Sequence, residues 1–183
     1  MSLLDSILSA NGGAAVTQIA GKLGIPESVT KQAVGALTPA LARGLQRNAS
    51  QPGGLESLLG ALGKGNHQQY VDQPEKLGDE ASIADGNAIL GHVLGSKDVS
   101  RNVAGAAAQK TGVDSDVLKK MLPMLAGVAM GALSKETKGG SQLAAATGSS
   151  QAENPLGLLS GLLDTGEDGA STDDLLNLAK KFF

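Results

Sequence analysis

The chain contains two histidines, His67 and His92, the residue type best suited to bind a metal or to exchange protons near neutral pH. Neither has a carboxylate or a second histidine at the spacing of a zinc site, and the chain has no cysteine. His67 stands in a polar stretch beside two glutamines, and His92 stands about one helical turn before Gly95. We therefore predict a surface or helix-capping role for each histidine, and no metal site.

The segment from Asp164 to Gly169 resembles the beginning of a calcium-binding EF-hand loop. Asp164, Asp168 and Gly169 occupy positions 1, 5 and 6 of such a loop. Position 3 is Gly166, however, and Leu175 stands at position 12, where a bidentate glutamate belongs. The pattern favours a turn with acidic residues at a helix start, so no calcium site is predicted.

Patterns typical of enzymes are missing from the sequence. Gly63-Lys64 lacks the upstream glycine of a phosphate-binding loop, and neither a nucleophile elbow nor a dinucleotide fingerprint occurs. The carboxylate pairs Asp79-Glu80 and Asp173-Asp174 are adjacent in sequence, so their side chains point apart on a helix. The sequence thus predicts no catalytic residue, no cofactor and a protein that is not an enzyme.

The clearest organising pattern is a helix-turn-helix unit that occurs twice, over residues 18–48 and 106–136. Each copy contains a short helix, a glycine that ends it, and a long helix. A shift of 88 positions aligns the copies, and the identical pairs are Ala20/Ala108, Lys22/Lys110, Gly24/Gly112, Val29/Val117, Lys31/Lys119, Leu37/Leu125 and Leu45/Leu133. The sequence therefore predicts an internal duplication.

A unit of this shape also occurs in DNA-binding proteins, where the second helix enters the major groove. In the candidate DNA-binding helix-turn-helix at 16–47, which includes most of the first copy, the candidate DNA contacts are Ser28, Thr30, Lys31, Arg43 and Arg47. The exposed start of the second helix is not net basic, and both arginines lie at its far end. The long helices are apolar around most of their circumference, which favours packing over DNA binding.

Apolar residues recur at helical spacing along the chain, and no alternating strand pattern appears. The predicted class is all-α, with duplicated helix-turn-helix units packed into one core around the long helices, in which Pro39 and Pro123 should cause a kink or a break. The predicted parts of this single compact domain are a first repeat (1–65), a polar connection (66–84), a second repeat (85–136), a flexible insert (137–154) and C-terminal helices (155–183).

Small residues recur on one face of each long helix. Gly127 and Gly131 are four residues apart in the second, and Ala36, Ala40 and Gly44 follow the same spacing in the first. This spacing lets two buried helices cross closely. We expect Gly127 and Gly131 to mark a helix–helix contact, with the other long helix as the neighbour.

Charge and composition limit the possible functions further. The net charge is −3, so the chain is not a basic protein that binds phosphates in bulk. The N-terminal stretch has no basic region, and the uncharged apolar run Met121–Leu133 is too short for a bilayer. We therefore expect a cytoplasmic protein without a signal peptide or a membrane span.

Four stretches together resemble the YidB-like family of bacterial proteins of unknown function. They are GNHQQY (65–70), DGNAILGHVLGS (85–96), KKMLPMLAGVAMGAL (119–133) and DDLLNLAKKFF (173–183). The resemblance covers nearly the whole chain and implies a helical fold with a homeodomain-like helix pair. It implies no catalytic or binding residues, because the family has no established activity.

Two functions are compatible with these observations. The first is a non-enzymatic scaffold or interaction module, which binds an unknown protein partner or a second copy of itself. The alternative is a DNA-associated protein that uses the helix-turn-helix at 16–47.

Overall fold

The computed structural model describes residues 2–139 together with 141, 161 and 163, and every regular element of this part of the chain is helical. Two 3-10 turns, Ala10–Gly13 and Pro74–Lys76, connect neighbouring helices. The α-helices are α1 (Leu3–Leu8), α2 (Ala14–Leu23), α3 (Glu27–Ala49), α4 (Gly54–Lys64), α5 (Gln69–Asp72), α6 (Glu80–Leu94), α7 (Lys97–Thr111) and α8 (Ser115–Glu136). The predicted all-α class is confirmed.

Glycines in the left-handed conformation end the short helices before each long one. Gly24 ends α2 with φ 66°, and the following Ile25 donates its backbone N–H to the carbonyl of Ala20 at 3.1 Å. Gly112 ends α7 with φ 72°. A side chain is strained at such φ values, so glycine fixes both turns. In the first unit, the predicted glycine at the end of the short helix is confirmed.

Pro39 and Pro123 lie inside continuous helices, so the predicted break does not occur in α3 or α8. Each proline removes one backbone donor, but packing on several sides holds the helix together. Every residue of α8 from Met121 to Ser134 is buried. Gly86 of α6 lies directly against the carbonyl oxygen of Pro123, where any side chain would clash.

The two long helices, α3 and α8, lie at the centre of the fold. Each of the shorter helices α1, α2, α6 and α7 contacts both of them. Buried apolar residues from both halves of the described chain therefore form one continuous cluster. Neither long helix is covered by the helices of its own half alone.

Residues 66–84, which are polar in composition, pack as part of this core. Tyr70, Val71 and Leu77 are each buried, and α5 contacts α8. This segment therefore does more than connect the halves: it covers one side of the central helix.

The whole of α8 is long and apolar enough to cross a membrane by length and composition, although the run Met121–Leu133 alone is too short. For the whole helix, length and composition therefore do not exclude a span. In the fold, 83% of the helix's most apolar window is buried against other parts of the chain. Such burial is expected of a core helix.

Most of the insert 137–154 and of the C-terminal helices 155–183 lies outside the described residues, as does the EF-hand-like turn from Asp164. Thr137 ends α8 and is buried, with its hydroxyl donating to the carbonyl of Leu133 at 2.7 Å. Leu163 is buried in the core cluster.

A buried histidine–aspartate–tyrosine cluster beside a cavity

One carboxylate oxygen holds together two segments that are separate in sequence. Oδ2 of Asp85, on α6, lies 3.1 Å from Nδ1 of His67 and accepts a 2.8 Å hydrogen bond from the hydroxyl of Tyr70. His67 follows the end of α4, and Tyr70 lies on the short helix α5. The arrangement is a buried polar network, in which each member limits the orientation of the others.

Burial of the three residues is unequal. His67 is 7% exposed and Tyr70 5%, whereas the side chain of Asp85 keeps 38% of its surface open. Burial, followed by the hydrogen bond to Asp85 and the charge of Asp85, together raise the pKa of Tyr70 to about 12. The phenol therefore remains a hydrogen-bond donor to Asp85 at neutral pH.

Three glycines leave room for this cluster. Gly65 lies directly against the imidazole of His67, and a Cβ at Gly127 would lie 3.2 Å from the ring of Tyr70. A Cβ at Gly131 would lie 2.5 Å from the carbonyl oxygen of His67. Gly127 and Gly131 thus mark a close approach, as expected, but their nearest neighbours belong to the segment 67–71 and not to α3. The predicted partner was wrong because spacing shows where a helix has a flat face, not what lies against it.

A half-open cavity of about 520 Å³ lies beside the cluster, between α6 and the turn that joins α3 to α4. Its walls are mainly apolar. The described residues that line it are Leu45, Asn48, Gln51, Pro52, Gly53, Gly54, Ser57, Leu58, Ala61, His67, Asp85, Ala88, Ile89, His92, Val93 and Met130. A concave apolar site with a few fixed polar groups is the usual form of a ligand site.

Some polar groups of this cavity already have hydrogen-bond partners within the chain. The hydroxyl of Ser57 donates to the carbonyl of Gly53 at 2.9 Å. The amide of Asn48 donates to the backbone carbonyl of His92 at 2.9 Å and so joins α3 to α6. Among the described lining residues, Asp85 is the acidic one, and none is a lysine or an arginine.

A carboxylate beside Nδ1 of a histidine is the arrangement that orients a general base in many enzymes. In the described part of the chain, no serine or threonine hydroxyl is hydrogen-bonded to His67. Ser57, which lines the same cavity, donates its hydroxyl to the carbonyl of Gly53 instead. The described residues also hold no group of three potential metal ligands. The geometry therefore supports recognition of a ligand by Asp85 more directly than a reaction.

The two histidines have different environments. His92 is exposed in the last turn of α6, as predicted. The predicted surface role of His67 is wrong, because it is buried beside Asp85. Asp85 is 18 residues away in sequence, and only the path of the chain around α8 brings the two together. Tyr70, Val71 and Leu77 were the available signal, since three apolar side chains in a polar stretch indicate burial.

The candidate DNA contacts do not form one surface. Thr30 is fully buried and its hydroxyl donates to the carbonyl of Pro26, so it is not available to DNA. Ser28 and Lys31 are exposed, but Lys31 pairs with Glu27 at 2.7 Å. The hydrogen bond from Lys31 lowers the pKa of Glu27.

The two arginines among the candidate DNA contacts lie far from the start of α3. Arg43 and Arg47 are exposed, 16 and 20 residues along α3 from Glu27. At about 1.5 Å per residue, this places them roughly 24 and 30 Å from the start of the helix. A single recognition surface at the helix start would include neither.

Residues 5–136 match the model of DUF937, a family described as a bacterial protein of unknown function, and the chain belongs to this family. No curated protein and no solved structure matches the chain. The expected membership of a bacterial family of unknown function is confirmed. The YidB-like name and the homeodomain-like fold are not part of that match.

Proposed function

We propose that this member of a bacterial family of unknown function is a non-enzymatic interaction module, which receives part of a protein partner in the cavity beside Asp85. The observation that carries the proposal is a carboxylate fixed by two buried donors at an open, mainly apolar cavity. Burying polar groups costs free energy unless they are bonded to one another. A network that leaves one member open toward a cavity is suited to binding.

The rest of the fold provides a rigid frame for this site. We interpret α1–α3 and α6–α8 as the two copies of a duplicated unit, and both copies contact both long helices. The helix-turn-helix elements therefore serve packing in this proposal. The protein acts in the cytoplasm, and its partner is another protein or a second copy of the chain.

DNA association is the weaker alternative. Phosphate contacts require free basic side chains on one face. In the first unit Lys31 is paired with Glu27, Thr30 is buried, and the arginines lie far along α3. No observation on the described residues favours DNA over a protein partner.

The test is affinity capture from the native bacterium with two tryptophan variants of the full chain. Ala88 is exposed at the cavity, so Ala88→Trp fills the cavity from a helix surface position. Gln109→Trp on α7 is the matched control, because Gln109 is exposed and does not line the cavity. We expect a specific partner to be recovered with the parent chain and with Gln109→Trp, and to be lost with Ala88→Trp. Equal recovery with both variants, or no partner with the parent chain, would contradict the proposal.

A further inference from the structure

The charge of the cavity indicates which chemical group it receives. Asp85 is the charged lining residue among those described, and no lysine or arginine offsets it there. Ion pairs in the described part of the chain join Asp85 only to His67. The cavity therefore presents a negative group with no strongly basic side chain beside it.

The two oxygens of Asp85 have different roles. Oδ2 is occupied by His67 and Tyr70. Oδ1 has no hydrogen-bond partner among the described residues, and the side chain is 38% exposed. The free oxygen is an acceptor of fixed position, which suits a donor that carries a positive charge.

The walls match an aliphatic stem. Apolar side chains of α3, α4, α6 and α8 line the cavity that Asp85 borders, namely Leu45, Leu58, Ile89, Val93 and Met130. A lysine side chain combines a four-carbon stem with an ammonium that has three donors. Its stem would contact these walls while the ammonium reaches Asp85.

We infer that the cavity binds the side chain of a lysine presented by the protein partner, with its ammonium on Oδ1 of Asp85. This assignment rests on the proposed function, because it specifies the group that the interaction module receives. The first turn of α4, at Gly53 and Gly54, also borders the cavity and would favour an anion instead. The probes must therefore compare opposite charges.

The experiment is a ligand-observed NMR titration of the full chain with four probes at low salt. They are hexylammonium, its neutral analogue hexanol, its anionic analogue hexanoate, and N-acetyl-lysine amide. We expect hexylammonium to bind at least about tenfold more tightly than hexanol, as for a charge-assisted hydrogen bond. N-acetyl-lysine amide should bind and hexanoate should bind most weakly. Equal binding of hexylammonium and hexanol, or tighter binding of hexanoate, would overturn the inference.

Two aspartate variants test whether the preference for hexylammonium over hexanol depends on Asp85. Asp85→Asn should reduce the ratio between hexylammonium and hexanol to about one. Asp98→Asn on α7 makes the same charge change at an exposed position outside the cavity and should preserve the ratio. A ratio unchanged by Asp85→Asn would overturn the inference. The comparison of probes on the parent chain stands even where Asp85→Asn fails to fold.

These experiments distinguish a small amine from a lysine side chain as the ligand. They also distinguish failure of the lysine assignment from failure of the proposed interaction module. Binding of hexylammonium without binding of N-acetyl-lysine amide would point to a small amine and overturn the assignment to a side chain. Loss of the charge preference together with loss of partner capture in Ala88→Trp would leave the interaction module in place and reject lysine. Retained partner capture in Ala88→Trp would reject the module itself.

Discussion

Gly131 and His67 meet backbone to backbone, since a Cβ at Gly131 would lie 2.5 Å from the carbonyl oxygen of His67. The same Cβ would lie 2.9 Å from Cγ2 of Val71. The central helix thus has a flat face at the point where the segment carrying the histidine crosses it. The position of the site depends on this absence of a side chain.

Replacing Gly131 with alanine should lower the free energy of unfolding by about 1–3 kcal/mol, because the backbone of His67 must move to relieve the overlap. Gly91→Ala on α6 is the control, since a Cβ there would meet no atom within 4 Å. That variant should gain up to about 1 kcal/mol from helix propensity. Urea denaturation measures both, and a Gly131→Ala chain as stable as the parent would disprove the close contact.

Tyr70 is the only tyrosine and the chain has no tryptophan, so its ionisation can be followed by absorbance without interference. We expect a midpoint near pH 12, because burial and then Asp85 raise the pKa. Asp85→Asn should move the midpoint down toward the ordinary value, since burial alone remains. Asp98→Asn should leave it unchanged. A parent chain that titrates at an ordinary tyrosine pKa would contradict the buried network.

The same shift gives a pH dependence of stability. The folded chain keeps the Tyr70 proton to a higher pH than the unfolded chain, whose pKa is about 10. The stabilisation is therefore complete below pH 10 and is lost as the pH rises toward 12. Denaturation midpoints between pH 9 and 12, compared with those of Tyr70→Phe, measure this loss. A pH dependence identical in the two chains would count against it.

The ends of the helices could be predicted from local sequence patterns, whereas the contacts within the site could not. Gly24 and Pro26 mark the end of α2 and the start of α3 because each restricts the backbone locally. The contact between His67 and Asp85 depends instead on how residues 66–84 cross α8. Composition describes this stretch as a polar connection. Its apolar residues Tyr70, Val71 and Leu77 indicate burial, but not which part of the chain they pack against.

The spacing of small residues in α8 predicted a close contact but not the segment that makes it. Gly127 and Gly131 predicted a close approach, and each has a near neighbour in the fold. The neighbour could not be derived, because any segment with a protruding backbone or ring fits a flat helix face. Gly44 of α3 likewise approaches the carbonyl of Val93 on α6, at 2.6 Å from its Cβ position, rather than α8.

Separate expression of residues 1–78 and 79–183, a division that leaves α6 intact, tests whether the two halves share one core. The first piece would expose the surfaces of α3 that α6 and α7 cover, and the second would expose those of α8 that α1 and α2 cover. We expect neither piece to fold cooperatively alone, and a mixture to recover helical circular dichroism. Two independently folded, monomeric pieces would show that the repeats are separate domains.

DNA binding can be examined by gel shift at low salt. Because Lys31 is paired and Thr30 is buried, the parent chain should give no complex whose affinity falls steeply with salt. A salt-sensitive complex that Lys31→Gln weakens would reverse the ranking of the two functions. Lys110→Gln, at the exposed end of α7, makes the same charge change outside the first unit.

Methionine methyl NMR shows most directly whether the cavity beside Asp85 is open to an occupant. Met130 lines the cavity, whereas Met121 is buried elsewhere in the core. During titration with hexylammonium, the Met130 methyl signal should move progressively while that of Met121 stays fixed, and Ala88→Trp should abolish the response. A Met130 signal that responds to neither hexylammonium nor hexanol, or a Met121 signal that moves equally, would contradict the proposal.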